Sequence, residues 1–299
     1  MLDVVVYMSS IPKIADHDRK AQVLKSFEIG AKARGASVLL QRERTVVPCR
    51  LAVILGWVGK NIKGPHIQLR QDVIRQQQQQ GHRVMPVDGS CFKFADFDNR
   101  FLRYSLDGVY YNTNVYANQN SSDLRWQQIS RDLKLTCDPW RSQGDHILVC
   151  LQRDGGWNMK GVDMRVWTDQ IVRKLRAATN RPIVVRPHPK NPIDMSSLGN
   201  VPDVRLNRSG STLREDLTGA WAAVFFNSSS SVAAVLQGIP IFVDDNDCVA
   251  WAVANHDINQ IENPLAPNRE RWLWDLSAAH WTDQQSQTGD IYQHFLGFI

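Results

Sequence analysis

The stretch "RPIVVRPHPKNP", Arg181 to Pro192, decides how the rest of the chain reads. Ile183-Val184-Val185 is an unbroken apolar run, the pattern of a strand covered on both faces. Immediately beyond it come Arg186, His188 and Lys190, separated by Pro187 and Pro189. In an open parallel sheet, ligands sit outside the carboxyl ends of the strands. A core strand that ends in three basic side chains therefore reads as one border of an anion site. The plainer alternative is a stiff strand-end turn.

The surrounding half repeats the same design. "HILVCLQ" (146–152), "WAAVFFN" (221–227) and "IPIFV" (239–243) read as strands, with "DMRVWTDQIVRKLRAAT" (163–179) as an amphipathic helix between the first two strands of this half. Four polar segments fall at expected strand ends: "QRDGGW", "RPHPK", "NSSSSV" and "VDDND". Gly155 and Gly156 let backbone approach a ligand. Arg186 offers a planar fork and Lys190 a point charge for phosphate, and His188 a further donor. Ser228, Ser229, Ser230 and Ser231 open a short helix, which reads either as an anion-binding amide cluster or as an N-cap. Asp244 and Asp245 can accept from sugar hydroxyls. Asp245 and Asp247 form a DxD-like pair that could hold a divalent ion, although such pairs are frequent in turns; no metal is expected. With Gln152, Arg153, Lys160 and Asn227, these residues make up the expected donor-binding set.

The first half alternates in the same way. Strands are expected at 3–8, 37–41, 50–57 and 82–89, and helices through Lys25–Arg34 and over 64–81. The second of these helices carries the Gln76–Gln80 run on a solvated face. The start "MLDVVVYMSS" reads as a first strand and not as a signal peptide, since it lacks a basic leader. The loop after it holds Asp16 and His17, a carboxylate beside an imidazole and hence a candidate base pair; the alternative is that "ADHD" caps a helix. Asp88, at another strand end, is the competing base. Trp57, Lys60 and Lys63 in one loop, and Arg100, Arg103, Tyr104 and Tyr111 in the aromatic stretch 92–116, are the expected acceptor contacts. Their mixture of cations and rings suits a nucleic-acid surface, or else core packing. "TCDPWRSQGD" has linker composition, so the expected domains are 1–144 and 145–299, the latter including two C-terminal helices.

Composition sets wide bounds. The chain is 299 residues long, 43% hydrophobic and 22% charged, as expected of a protein with a substantial core. A net charge of +5 permits a polyanionic partner without requiring one. No run nears the ~18 apolar residues of a membrane span, and no membrane partner is expected. Five scattered cysteines with no CxxC pair fit a reducing cytosol better than a disulfide framework.

"RPHP" after a strand, followed by "NSSSSVAAVLQGIPIFV", resembles the sugar-nucleotide half of GT-B glycosyltransferases, including bacterial capsule-type and polyol-phosphate transferases. With "LQRDGGWNMKG" and "VANHDINQIENP", residues 146–294 are similar to phage-encoded glycosyltransferases, some of them associated with DNA hypermodification. The resemblance implies an α/β fold of two Rossmann-like domains facing a cleft, a C-terminal donor domain and an N-terminal acceptor domain. It implies that Arg186, His188 and Ser228–Ser230 meet the donor diphosphate and that the base lies in the loop of Asp16 and His17. It implies a nucleotide sugar, expected as a UDP-sugar, as co-substrate with no further cofactor. The favoured acceptor is a 5-hydroxymethylated pyrimidine in DNA, which would have to be flipped out of the duplex. A surface polysaccharide, polyol-phosphate transfer, or nucleotide binding without catalysis are the alternatives. The expected location is the cytoplasm, that of the host if the gene is phage-borne.

Overall fold

The structure is a computed structural model that describes residues 1–12, 18–59, 63–113, 121–191, 198 and 200–299, apart from the side chain of Trp157. It contains two α/β units. The first comprises Met1–Gln127 and Trp274–Ile299, the second Gln128–Leu273.

The first unit is built on β1 (Leu2–Tyr7), α1 (Arg19–Ala33), β2 (Val38–Gln41), β3 (Cys49–Leu55), α2 (Pro65–Gln80), β4 (Arg83–Gly89) and β5 (Phe101–Tyr104). After α3 (Leu124–Leu133) the chain builds the second unit. There it forms β6 (His146–Cys150), α4 (Met164–Ala178), β7 (Ile183–Arg186), β8 (Val204–Leu206), α5 (Leu213–Leu217), β9 (Ala220–Phe225), α6 (Ser231–Leu236) and β10 (Ile241–Val243). It returns to the first unit within α7 (Glu270–Ala278) and ends in β11 (His280–Thr282), α8 (Asp283–Gln287) and α9 (Asp290–Phe295).

In the second unit the strands run in the order β10-β9-β6-β7-β8, every neighbouring pair parallel. The chain steps outward from β6 on one side through β7 and β8, and on the other through β9 and β10. The order therefore reverses between β6 and β9, the switch point where such sheets leave a crevice. β6, β9 and β10 are buried almost throughout, which explains their unbroken apolar sequences. Met164, Trp167, Ile171, Val172 and Leu175 of α4 pack onto the sheet from positions three and four apart.

In the first unit the order is β11-β5-β4-β3-β1-β2. β2, β1, β3 and β4 are parallel, while β5 and β11 extend the sheet antiparallel. The switch point lies between β1 and β3. Ser10 closes it, its hydroxyl donating to the Tyr7 carbonyl at 2.6 Å and accepting from the Leu55 N–H at 3.0 Å.

The C-terminal segment departs from the expected boundary. Trp281, Ile291, Tyr292 and Phe295 join Val4, Val6, Leu24 and Phe27 in the core of the first unit. The tail thus completes the first sheet and covers α1, and it contains a strand besides its helices. β5 is a second unforeseen strand, hidden in the aromatic stretch. His280 of β11 is fully buried. It accepts from the Cys91 N–H at Nε2 (2.9 Å), and its Nδ1 hydrogen bonds with the Leu276 carbonyl (2.7 Å). Burial holds this imidazole neutral, its pKa pushed down to about 3. Among the described residues no helix is long and apolar enough to cross a membrane.

Candidate functional site

The switch point of the second unit is bordered by the residues that follow β6 and β9. Gln152 leaves β6 and Asn227 leaves β9, and both are buried. Their side chains pair, Gln152 Nε2 donating to Asn227 Oδ1 at 2.7 Å while Asn227 N–H donates to Gln152 Oε1 at 3.2 Å. The remaining amide hydrogens of Asn227 reach the Asn158 carbonyl (2.8 Å) and Asp245 Oδ2 (2.9 Å). One side chain thereby ties together the loops after β6, β9 and β10. Asp245 and Asp247 both hold Lys160 Nζ, at 2.8 and 2.5 Å. Burial opposes the lysine's charge, but the hydrogen bonds and charges of the two carboxylates outweigh it and raise the pKa. Asp244 is exposed and accepts from Trp167 Nε1 at 2.8 Å.

Gly155 has φ +70° with open space where a Cβ would stand, so the "DGG" turn needs glycine for its backbone angle. The Asp154 carboxylate accepts from the Gly155 N–H at 3.1 Å.

At the end of β7, His188–Asn191 forms a tight turn closed by Asn191 N–H on the His188 carbonyl at 2.8 Å, with Pro189 at the turn position its ring geometry suits. Lys190 N–H donates to His188 Nδ1 at 3.1 Å. That bond fixes the neutral tautomer with its proton on Nε2, leaving Nε2–H as the donor. Burial, then the positive charges of Arg153, Lys190 and Arg186, push the pKa of His188 down. Arg153 of the β6 loop and Lys190 of the β7 turn, both exposed, lie close enough to His188 for their charges to act on its ring.

Two groups of the expected donor set have partners within the protein. Arg186 does not present an uncommitted fork. Its Nη1 donates to the Asp216 carboxylate and to the Ser211 carbonyl (3.0 Å), and Asn207 Nδ2 joins on Asp216 at 2.9 Å. The arginine thus pins α5 to the end of β7, while Arg153 and Lys190 are exposed. The serine run is bonded within its own turn. The N–H groups of Ser231, Val232 and Ala233 donate to the carbonyls of Ser228, Ser229 and Ser230, each at 3.1 Å. The Ser228 and Ser230 hydroxyls bond each other at 2.7 Å. Ser231 is buried beside Cys248, and Ser229 alone of the four is exposed.

The first unit offers a different set. Asp16, His17 and Lys60 lie outside the described residues. Asp18 caps α1 by accepting from Lys20 N–H at 2.7 Å, so the capping role belongs to this aspartate. Asp88 is bonded by Arg103 Nη2 at 2.9 Å and is not a lone carboxylate. Arg103 is itself buried, with Nη1 3.4 Å from Cys91 Sγ. Tyr104 is fully buried against Phe27, with ring centroids 6.3 Å apart, and Tyr111 is buried with its hydroxyl on Asp275. These three residues are core rather than acceptor surface. Trp57 packs partly against the apolar cluster of Tyr7, Ile54 and Leu69, whereas Lys63 and Arg100 are exposed.

Sequence reasoning missed a basic group near the first unit's own switch point. Burial, then the positive charges of Arg70, Arg44 and Lys20, push the pKa of His66 down. Arg70 Nη1 donates to the Leu55 carbonyl at the end of β3 (2.9 Å). The available signal was positional: "RERT" directly follows β2, and "PHIQLR" opens α2.

No family model matches the chain, and no curated protein matches it significantly. Among solved structures, the chain is similar to Thermosulfurimonas dismutans KpsC, described as a beta Kdo 2,7 transferase. The likeness has a TM-score of 0.56 at 12% identity, over 97% of this chain and 99% of that one. A second KpsC structure from that organism, described as a beta Kdo 2,4 transferase, aligns with a TM-score of 0.55 at 12% identity, over 98% of each chain. At that identity the likeness carries the fold: the chain has a GT-B-like α/β architecture of two Rossmann-like units.

Proposed function

We propose that the protein is a glycosyltransferase that takes a sugar from a nucleotide-sugar donor held by the second unit and passes it to a hydroxyl acceptor held by the first. The observation that carries this reading is the Gln152–Asn227 pair bridging the exits of β6 and β9, with Arg153, His188 and Lys190 on the adjoining rim. A leaving nucleotide gains negative charge as the bond from its phosphate oxygen to the anomeric carbon breaks. Fixed donors and cations aimed at that charge lower the barrier. The acceptor oxygen forms the new bond to the anomeric carbon, and its proton passes to a base. Asp16 and His17 remain our candidates for that base, since Asp88 is committed to Arg103.

For the acceptor we favour a saccharide hydroxyl, as in capsule-type transferases, over a hydroxymethylated pyrimidine in DNA. The burial of Arg103, Tyr104 and Tyr111 removes three of the contacts a DNA surface would need. The basic group of Lys20, Arg44, His66 and Arg70 suits an acceptor that carries negative charge. The full-length likeness to two chains described as Kdo transferases agrees with this class.

The experiment is calorimetric titration of nucleoside mono- and diphosphates and their sugar conjugates into the native protein and the Arg153→Glu/Lys190→Glu variant. Native protein should bind at least one, and reversing two exposed charges should weaken it by about tenfold or more. Equal affinity in both proteins would remove this rim as the donor site.

A further inference from the structure

Lys160 stands in an unusual backbone setting. Its φ is +52°, in the left-handed region that costs a non-glycine residue on the order of 1 kcal/mol. The side chain delivered from that position lies between two carboxylates, 2.8 Å from Asp245 and 2.5 Å from Asp247. Asp247 N–H also donates to Asp245 Oδ1 (3.1 Å), and the other oxygen of Asp245 accepts from Asn227 Nδ2 (2.9 Å). The ammonium thus bridges an Asp-x-Asp pair of the sort that elsewhere holds a divalent ion, and offsets one of its two negative charges. Among the described residues no group of three or more His, Cys, Asp or Glu gathers as a metal site.

We propose that Lys160 is a tethered cation taking the position a divalent metal would occupy between Asp245 and Asp247, and that by holding Asp245 it orients the Asn227 amide at the exits of β6 and β9. It is a positioning residue, acting on the crevice through Asp245. Asp245, 8% exposed, needs a counter-charge because burial penalises an unpaired carboxylate. A lysine supplied by the same chain does this at any metal concentration. Its consequence for donor binding rests on the reading of the crevice as a donor site; its consequence for metal binding does not.

The test is a Mn2+ titration followed by electron paramagnetic resonance on the native protein, on Lys160→Gly and Lys160→Met, and on Lys160→Gly/Asp247→Asn. Glycine suits the backbone at φ +52°, so that variant removes the cation and relieves the strain together; the methionine variant keeps the stem. Circular dichroism establishes that each is folded. The expected result is that either single variant binds one Mn2+ at least about tenfold more tightly than the native protein, and that adding Asp247→Asn abolishes the gain. Donor affinity of Lys160→Gly should fall in EDTA and recover with Mn2+. Native protein and Lys160→Arg should respond to neither. Equal Mn2+ affinity in native and variant proteins would overturn the proposal. So would a gain that survives Asp247→Asn. If the native protein binds no nucleotide, the donor reading fails while the Mn2+ comparison still decides the role of Lys160.

Discussion

Gly30→Ala is expected to be among the most damaging single substitutions in the first unit, costing on the order of 4 kcal/mol. A Cβ at Gly30 would lie 1.8 Å from the Ser286 carbonyl oxygen and 2.7 Å from the Gly289 nitrogen, and both are backbone atoms. Backbone cannot rotate away as a side chain can, so α8 and α9 must move off α1. Alanine would gain up to about 1 kcal/mol of helix propensity over glycine. Against this, the shift exposes Ile291, Tyr292 and Phe295, and losing a large buried side chain costs about 3–5 kcal/mol. Urea unfolding measures the loss, and limited proteolysis should release the segment after Thr282. Gln22→Ala, on the exposed face of the same helix, should change stability by less than about 0.5 kcal/mol. If Gly30→Ala were equally silent, the C-terminal segment would not pack against α1.

Asn227→Leu is the corresponding substitution in the second unit. Leucine has the same branched outline and the same number of side-chain heavy atoms, is bulkier, and can neither donate nor accept. It would leave the Gln152 amide and the Asn158 carbonyl without this partner and remove one of the bonds on Asp245. Each buried polar group left unsatisfied costs about 1–3 kcal/mol, so a loss of roughly 3–6 kcal/mol is expected, together with loss of nucleotide binding. Asn227→Asp separates hydrogen bonding from packing. It sets a second carboxylate oxygen against Asp245, and the two charges repel. Binding a proton relieves the repulsion, so the folded state holds that proton more tightly than the unfolded chain does. The stability of Asn227→Asp should therefore rise as pH falls toward the carboxylate range, whereas that of Asn227→Leu should not follow this trend. Parallel pH dependence in the two variants would contradict the Asn227–Asp245 bond.

Much of the fold was legible because parallel strands covered on both faces need unbroken apolar runs. "VVVY", "LAVIL", "ILVC" and "IVV" all fall in strands. β5 and β8 were not legible. "FLRY" is a four-residue strand inside an aromatic stretch, and "VRL" is a partly exposed edge whose apolar signal is too weak to stand out. The tail was misassigned for a different reason. Its helices show local periodicity, but their partner α1 lies more than 250 residues away, and periodicity does not report which surface a helix covers.

The site divides in the same way. Gln152, Arg153, His188, Asn227 and Asp245, placed together from their strand ends, are neighbours in the second unit. Composition could not say that Arg186 is paired thirty residues onward with Asp216, or that Lys160 lies between two aspartates. Nor could it separate Tyr104 in the core from Arg100 at the surface, because an aromatic and basic stretch serves packing and recognition equally.

Glycosyl transfer is tested by mass spectrometry of acceptors after incubation with a panel of nucleotide sugars. The panel of acceptors should include acidic and neutral capsule-type oligosaccharides and hydroxymethylated duplex DNA. The expected result is a gain of one glycosyl unit on a saccharide, with one nucleotide released per transfer and no gain on DNA. A gain on DNA alone would overturn the acceptor while keeping the chemistry. Nucleotide binding with no gain on any acceptor would contradict transfer itself and leave a protein that binds nucleotide without catalysing its turnover.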